Sequence, residues 1–324
     1  MNETQQTDTY DVAVIGGGAA GLSGALMLGR SRRSVVVIDA GEPRNAPAAG
    51  VHGFLSREGM APHELLRIGR DDVRAYGVSI VEASVQSVQR TEAGFTVSLD
   101  SGTTVDARRV LVTTGLVDQL PDVLGVRERW GRDVLHCPYC HGWEVRDQAI
   151  GILATSPFAA HQALMFRQLS SDVTVFLNDA FEPSVEQEQQ FAARGIATVP
   201  GRVASVDAEA DALTAVVLTD GTRIAVEALA VMPRVAVRAG FLAELGLVPT
   251  EHEMGIGDYI AVDATGATAV PGVFAAGNVT DPMAQVMGAA AAGAKTGAAV
   301  NGDLIMEETE RATAEMAQSE GAHA

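Results

Sequence analysis

The fold of the first half of the chain is decided by one stretch, Tyr10-Asp11-Val12-Ala13-Val14-Ile15-Gly16-Gly17-Gly18-Ala19-Ala20-Gly21. Its short β-branched run predicts a strand, and after glycines at positions 16, 18 and 21 the pattern continues as a helix over Leu22–Gly29. In a strand–turn–helix of this kind, the first glycine permits the tight turn and the second lets a pyrophosphate approach the backbone. The third lets the helix pack on the strand. The stretch therefore predicts a dinucleotide-binding fold.

The residues that follow also favour nucleotide binding. A strand predicted over Ser34–Ile38 ends in Asp39, eighteen residues after Gly21, where a carboxylate can accept both ribose hydroxyls. The phosphates would lie at the positive end of the helix. The run Val110-Leu111-Val112-Thr113-Thr114-Gly115 predicts a buried strand that ends in small residues, which lets the sheet edge approach a cofactor. Between these strands we expect three more strand segments, at Val78–Val85, Phe95–Leu99 and Thr104–Asp106.

After Pro121 the same pattern begins again, which predicts a second fold of the same kind. Its elements are a strand at Gln148–Leu153, a helix at Pro157–Leu169 and strands at Val173–Leu177 and Ala228–Met232. The second turn has Ala154, Ser156 and Ala159 where the first has glycines, so side chains occupy the places that a pyrophosphate needs. Beyond the second strand, Asn178 and Asp179 stand where NADP binding needs a cation. Asp179 leaves open the binding of NAD, because it could accept a ribose hydroxyl.

From about Thr250 the first domain resumes. We expect a strand at Tyr259–Asp263, a glycine turn after Pro271–Ala276, a small-residue helix at Pro282–Asn301 and a frayed acidic helix from Glu307. The fold class predicted is α/β, with two tandem Rossmann-like, three-layer nucleotide-binding domains. Residues 1–118 and 250–324 would form the first domain, and residues 119–249 the inserted second one.

The segment His136-Cys137-Pro138-Tyr139-Cys140-His141 holds the only two cysteines of the chain. A CxxC pair without further cysteines is typical of a redox dithiol. A metal site of two cysteines and the flanking His136 and His141 is the alternative, but ligands so close in sequence could hardly surround a tetrahedral ion. We therefore expect a redox pair and no metal.

Composition excludes several classes of partner. The chain has 324 residues and a net charge of −18, with 23 basic and 41 acidic residues, which argues against a nucleic-acid or anionic-membrane partner. Met1–Thr9 has no basic and apolar pattern of a secretion signal, and the small-residue run Met287–Val300 is interrupted by Lys295 and too short to span a bilayer. We expect a cytoplasmic protein, a compartment in which a lone CxxC is catalytic.

Together these motifs resemble the low-molecular-weight thioredoxin reductases over essentially the whole chain. Within that group, Cys137-Pro138-Tyr139-Cys140-His141-Gly142-Trp143-Glu144 and Gly41-Glu42-Pro43-Arg44-Asn45 look most like the FAD-dependent dithiol oxidases, which close the disulfides of gliotoxin- and holomycin-type natural products. Thioredoxin reductases usually carry Asp where His141 stands, and an intact second glycine motif followed by arginines. This chain departs from them at both places.

The resemblance implies an FAD site and a homodimer. Asn278 takes the place of an Asp that commonly contacts the ribityl chain of FAD, and His52 is either a flavin contact or an ordinary loop residue. Trp143 we expect in the core rather than at a substrate. The FAD contacts implied are Gly16, Gly17, Gly18, Ala19, Ala20, Gly21, Asp39, Arg44, Asn45, His52, Val85, Thr114, Gly115, Gly277, Asn278, Gln285 and Val286.

The resemblance also implies a reaction, the oxidation of a small dithiol to a disulfide in natural-product biosynthesis or self-protection. The substrate attacks Cys137, Cys140 passes two electrons to FAD, and O2 accepts them as H2O2. His141 is the expected acid/base, because the ordinary pKa of histidine lies near neutral pH, and His136 and Glu144 are the substitutes. Two alternatives remain: a disulfide reductase that takes electrons from a nicotinamide or ferredoxin, and a redox sensor without turnover.

Overall fold

The structure is a computed structural model and describes residues 9–321. The polar start of the chain and the last three residues of the predicted tail lie outside this range. The strands are β1 (Thr9–Ile15), β2 (Val35–Asp39), β3 (Ser79–Glu82), β4 (Val85–Arg90), β5 (Phe95–Leu99), β6 (Thr104–Val112), β7 (Leu116–Gln119), β8 (Val134–Leu135), β9 (Ile150–Leu153), β10 (Val173–Phe176), β11 (Ala197–Val199), β12 (Val203–Glu209), β13 (Ala212–Leu218), β14 (Arg223–Ala225), β15 (Ala228–Val231), β16 (Arg234–Val237), β17 (Thr250–Glu251), β18 (Asp258–Tyr259) and β19 (Val273–Ala275).

The α-helices are fewer than the strands, and three short 3-10 helices accompany them. The α-helices are α1 (Ala19–Arg30), α2 (Pro62–Arg74), α3 (Pro138–His141), α4 (Ala159–Phe166), α5 (Val185–Arg194) and α6 (Val286–Gly321). The 3-10 helices lie at Trp143–Val145, Gly240–Leu245 and Gly277–Val279. Within residues 9–321, no helix is both long and apolar enough to span a membrane.

The chain divides into two compact units. The first contains the residues up to Pro43, His63–Val117 and the residues from Ala236, and the second contains Arg44–Pro62 and Asp118–Val235. The predicted ranges, 1–118 with 250–324 and 119–249, therefore differ from the structure at two segments. Residues 236–249 belong to the first unit, because Leu242 and Leu247 are buried in its core. Arg44–Pro62 belongs to the second, where Arg44 is paired with Asp118.

The first unit is built on a mixed sheet in the order β3-β2-β1-β6-β5-β4, with β19 beside β6. Alternate residues of β1 face opposite sides of this sheet. Val12 and Val14 join one buried cluster with residues of α1 and α6, whereas Ala13 and Ile15 join another. Because both faces are covered, the central strands are apolar without interruption, which is why the sequence pattern identified them.

Helix α6 packs directly on α1. A Cβ at Gly293 would lie 1.9 Å from the carbonyl oxygen of Ala20, so the small residues of the helix predicted at Pro282–Asn301 bring two helix backbones together. The tail beyond Glu307, predicted to be frayed, continues α6 without a break. Arg33 and Arg108 hold it through hydrogen bonds to Glu308, which lower the pKa of that carboxyl to about 2.

The second unit has a parallel sheet in the order β11-β10-β9-β15-β8 and a separate antiparallel sheet of β12, β13 and β14. All residues of β9 and β15 are buried. A mixed sheet and a parallel sheet, each with a strand–turn–helix at its centre, confirm the predicted fold class of tandem Rossmann-like domains.

Three strand predictions were wrong in detail. The strand expected at Val78–Val85 is two strands, because the chain changes partner from parallel β2 to antiparallel β5 at residues 83–84. The segments Thr104–Asp106 and Val110–Val112 form one strand, β6. Pairing of the strand expected at Tyr259–Asp263 stops at Tyr259, because the N–H of Ile260 donates to the carbonyl of Val279 instead, and Asp263 begins a turn.

Candidate active site

The two cysteines lie at the start of α3 and form a disulfide, with 5.2 Å between their Cα atoms. Cys137 has an extended backbone and is the N-cap, and Pro138 occupies the first turn, where its missing N–H costs nothing. The N–H of Cys140 donates to the sulfur of Cys137 at 3.2 Å. This bond stabilises negative charge on Cys137 once the disulfide is opened, so Cys137 is suited to leave as a thiolate from a mixed disulfide with a substrate.

His141 closes the same helix and is half-buried. Burial lowers its pKa from 6.5, and the charge of His52 lowers it further, whereas Glu144 raises it. The lowered pKa leaves the imidazole neutral at neutral pH, so that it can accept a proton. His141 therefore has the position and the protonation state that the sequence assigns to an acid/base.

His52 lies in the same unit as the cysteines and is bracketed by two carboxylates. Its Nδ1 is 2.6 Å from Oε1 of Glu58, and its Nε2 is 3.4 Å from Oε1 of Glu144. Its ring centroid is 6.4 Å from that of His141. Glu58 was not predicted, because nothing in the local pattern marks a carboxylate six residues beyond a histidine. Glu144, a predicted substitute for the acid/base, therefore lies beside His52 and acts on the pKa of His141.

His136, on the other side of the cysteines, has a different environment. Burial lowers its pKa from 6.5 to about 4, and the charge of Arg44 acts in the same direction. Arg44 itself forms a two-bond ion pair with Asp118, at 2.9 and 2.6 Å. The buried amide of Gln162 donates to the carbonyl of His136 at 2.9 Å. His136 is therefore held neutral in a partly buried site, which suits a structural role.

Two aromatic side chains of this segment are exposed. Trp143 is 65% exposed and Tyr139 is 73% exposed, so the expectation that Trp143 lies in the core was wrong. The guanidinium of Arg146 lies 4.3 Å from the centre of the Trp143 ring, and its Nη1 donates to the carbonyl of Trp143 at 2.9 Å. A short 3-10 helix points the indole outward, because its third residue, Val145, is the one that is buried.

The first glycine turn has the features of a phosphate site. Gly16 has a φ of +105°, and a Cβ there would lie 2.5 Å from the carbonyl oxygen of Thr113. A Cβ at Gly18 would meet no atom within 4 Å, which leaves open space beside the start of α1. Within residues 9–321, nothing accepts a hydrogen bond from the N–H groups of residues 18–21. Free donors at a helix start, next to space, fit a pyrophosphate.

Asp39 stands at the end of β2 as predicted and also supports the turn. Its Oδ1 accepts from the N–H of Gly17 at 3.0 Å, and Arg70 binds its Oδ2 at 3.1 Å. The hydroxyl of Thr113 donates to the carbonyl of Gly16 at 2.8 Å. Arg70 and Thr113 were missed as supporting residues, because their role depends on contacts that no short motif records.

The second turn is built differently. It runs from Ala154 to Phe158 and is longer than the first by two residues, so Ala159 opens α4, whereas Gly21 is the third residue of α1. Ser156 accepts from the N–H of Phe158 through its hydroxyl, and from that of Ala159 through its carbonyl, at 3.3 and 3.1 Å. These donors are already occupied, and Ala154 and Ser156 carry side chains where glycine is needed. The second turn therefore offers fewer unpaired N–H groups at its helix start than the first.

The other predicted FAD contacts are divided between the units and stay predictions. In the first unit, Thr114 donates its hydroxyl to the carbonyl of Arg238, and the amide of Asn278 donates to the carbonyls of Asp281 and Ala284. The remaining contacts of the first unit are Ala19, Ala20, Val85, Gly115, Gly277, Gln285 and Val286, and those of the second unit are Arg44, Asn45 and His52. The described residues contain no group of three or more His, Cys, Asp or Glu side chains that could hold a metal ion.

Known proteins resemble the chain along almost its full length. The family model described as pyridine nucleotide-disulphide oxidoreductase matches residues 10–296. The thioredoxin reductase sirT of Leptosphaeria maculans is 31% identical over 312 residues, covering 90% of this chain and 93% of that protein. The crystal structure of HlmI is 43% identical, with a TM-score of 0.89 and coverage of 97% of this chain and 98% of that chain. An oxidoreductase from Agrobacterium tumefaciens is 37% identical, with a TM-score of 0.86 and coverage of 92% and 99%.

These similarities agree with the chemistry of the two units. The free N–H groups and open space at Gly18 fit the pyrophosphate of FAD, and Asp39 fits its adenosine ribose. FAD is the cofactor of the family. The disulfide of Cys137 and Cys140 fits a dithiol–disulfide enzyme of the thioredoxin reductase type. The chain is an FAD-dependent oxidoreductase and belongs to the pyridine nucleotide-disulphide oxidoreductase family.

Proposed function

We propose that this enzyme oxidises a small-molecule dithiol to an intramolecular disulfide and that O2 accepts the electrons, which yields H2O2. The observation that carries the proposal is the contrast between the two turns. The first keeps the free N–H groups and the space that a dinucleotide needs, whereas the second has capped its donors and filled the glycine positions. An enzyme without a nicotinamide site must receive its electrons elsewhere, and the disulfide of the second unit can take them from a thiol substrate.

The thiol chemistry follows from the helix that holds the cysteines. A substrate thiolate attacks the sulfur of Cys137, the S–S bond breaks, and Cys140 leaves as a thiolate. The second substrate thiol then attacks its partner sulfur in the mixed disulfide, which releases Cys137 and forms the product disulfide. The N–H of Cys140 stabilises the leaving Cys137 thiolate. FAD, when bound, accepts the electron pair from the dithiol and makes O2 a possible final acceptor.

His141 supplies the proton transfers in this scheme. Neutral at neutral pH, its imidazole accepts a proton from a substrate thiol and returns it to solvent. Glu144 raises the pKa of His141 and is therefore suited to stabilise the imidazolium that forms. The ring of His52, 6.4 Å from that of His141, is suited to keep it in place. We therefore assign the acid/base role to His141 and a structural role to His136.

An anaerobic stopped-flow experiment tests the proposal. Dithiothreitol should bleach the flavin absorbance of the purified holoenzyme fully. Admission of air should restore the absorbance and release one H2O2 per dithiol oxidised. NADPH and NADH should give rates at least about 10³-fold lower, because neither finds a phosphate site in the second unit. Fast bleaching by either nicotinamide would overturn the proposal.

A disulfide reductase is the second candidate, because relatives such as sirT bear the name thioredoxin reductase. In that case a nicotinamide or reduced ferredoxin would bleach the flavin, and a protein disulfide would restore it. The same stopped-flow experiment separates the two functions. The homodimer implied by the resemblance also stays a prediction, which light scattering of the holoenzyme would check.

A further inference from the structure

The segment with the cysteines, α3 and the 3-10 helix after it, carries more exposed aromatic surface than its fold requires. A single exposed ring is ordinary on a protein surface. Here two lie within five residues of each other, Tyr139 at 73% and Trp143 at 65% exposure, one before and one after Cys140. The chain is poor in aromatic residues, which make up 5% of its sequence. Two exposed rings beside a reactive disulfide indicate a binding surface, which is where aromatic side chains are enriched.

The indole of Trp143 is held in place although it is exposed. Gly142 lets the chain turn directly from α3 into the 3-10 helix, since a Cβ there would lie 2.3 Å from the carbonyl oxygen of Pro138. Val145 anchors that helix in the interior. Arg146 stacks on the indole at 4.3 Å and donates to the carbonyl of Trp143, which restrains the ring. A restrained ring loses little conformational entropy when a ligand stacks on it.

Charge and size limit what this surface can bind. Glu144, Arg146 and Asp147 follow closely in the chain and are exposed, so carboxylates outnumber the guanidinium here, and the whole protein has a net charge of −18. An anionic ligand is therefore disfavoured. Two aromatic rings offer about 150–250 Å² each, enough for one ring of a small molecule. A specific protein partner would need about 800 Å² on each side. The surface thus fits a neutral ring of a small molecule better than a protein.

We propose that Tyr139 and Trp143 form a stacking site that seats a neutral, ring-bearing dithiol so that its thiols reach the Cys137–Cys140 disulfide. The proposal rests on the proposed function, because it names the substrate class of the same disulfide. It makes Tyr139 and Trp143 determinants of specificity, which contact the substrate but take no part in the thiol exchange.

Kinetics with two dithiol probes test this assignment. One probe is dithiothreitol, which has no ring, and the other is 1,2-benzenedimethanethiol. Trp143→Ala should raise KM for the aromatic dithiol by about tenfold, with kcat nearly unchanged, and leave KM for dithiothreitol within about twofold. Trp143→Phe should restore most of the loss, and Tyr139→Ala should act in the same direction. Tyr76→Ala is the matched control, because Tyr76 is an exposed ring under an arginine, at 45% exposure and 5.2 Å from Arg30.

A binding measurement separates this proposal from the proposed function. In a Trp130→Phe background, Trp143 is the remaining one of the two tryptophans of the chain. The S-methylated aromatic probe cannot exchange with the disulfide, but it should quench the fluorescence of Trp143 in the oxidised holoenzyme. If no dithiol bleaches the flavin, the proposed function fails, and quenching still reports on the stacking site. Absence of quenching, or equal losses for both probes in Trp143→Ala, would overturn the stacking site. A loss confined to a reduced protein dithiol such as thioredoxin would also overturn it, and would indicate a protein-docking surface.

Discussion

The two strand–turn–helix regions of this protein have the same topology but differ in the N–H groups that their turns leave unpaired. In the first, three residues join β1 to α1, and the N–H groups of residues 18–21 have no acceptor within the described part of the chain. In the second, five residues join β9 to α4, and Ser156 accepts from two of the N–H groups at the helix start. A dinucleotide site depends on donors that the fold leaves unpaired. The fold survives their loss, because its stability comes from buried strands such as β9 and β15.

The second unit also differs from the first in carrying the reactive cysteines. They lie before β9, on a segment that the parallel sheet does not need. Thiol chemistry on this segment can therefore be retained or acquired without disturbing the core of the unit. If this division is correct, substitutions in the cysteine helix should stop the reaction, and substitutions in the first turn should release the cofactor. Substitutions in the second turn should change neither the reaction nor the binding of the cofactor.

The largest effect should come from the cysteines themselves. Cys137→Ser and Cys140→Ser should each lower turnover by at least about 10⁴-fold, because the exchange needs both sulfurs. The two thiols should still differ in reactivity. Cys137 in the Cys140→Ser variant keeps the backbone N–H that donates to its sulfur, so it should react with iodoacetamide faster at pH 7 than Cys140 in Cys137→Ser. The reverse order of alkylation rates would exchange the two roles.

The next effect concerns the proton carrier. His141→Ala should lower turnover by about 10²–10⁴-fold with normal FAD content, as is typical of losing a positioned acid/base. Because the pKa of His141 is lowered, the acid limb of wild-type kcat/KM should have its midpoint below the ordinary histidine value of 6.5. This acid limb should be absent in the variant. An unchanged rate would return the role to His136 or Glu144.

Matched substitutions in the two turns test the comparison directly. Gly18→Leu should weaken FAD binding by about 10²-fold or more, because its side chain enters the open space where the pyrophosphate is expected. Ser156→Leu, the corresponding change in the second turn, should leave the FAD content at the wild-type level. The ratio of absorbance at 450 and 280 nm after dialysis measures both, with circular dichroism as the control for folding. Loss of FAD in both variants would contradict the distinction between the turns.

Most of the predictions that agree with the structure came from local patterns of the sequence. The glycine turn, the acid that ends β2 and the CxxC helix are each specified within a few residues, so they could be read without tertiary information. The role of His52 could not be predicted in this way, because Glu58 and Glu144 reach it from different parts of the second unit. The exposure of Trp143 was missed for a similar reason, since hydrophobicity alone does not show that a short 3-10 helix turns the ring outward.

The smallest effect should be a pH dependence of stability that belongs to the second unit. Burial lowers the pKa of His136 from 6.5 to about 4. Above pH 6.5 the folded and unfolded chains both hold this imidazole neutral, so its contribution to stability is fully present. As pH falls from 6.5 towards 4, the unfolded chain binds a proton that the folded chain does not bind, and about 3 kcal/mol of stability is lost in total.

We expect His136→Gln to lack this loss, whereas His141 and the carboxylates titrate in both proteins and cancel in the comparison. Urea unfolding at pH 7.5 and 4.5 should show a decrease that is larger in wild type by about 2 kcal/mol. Parallel decreases in the two proteins would mean that His136 is protonated in the folded state, and they would reopen its candidacy as the proton carrier.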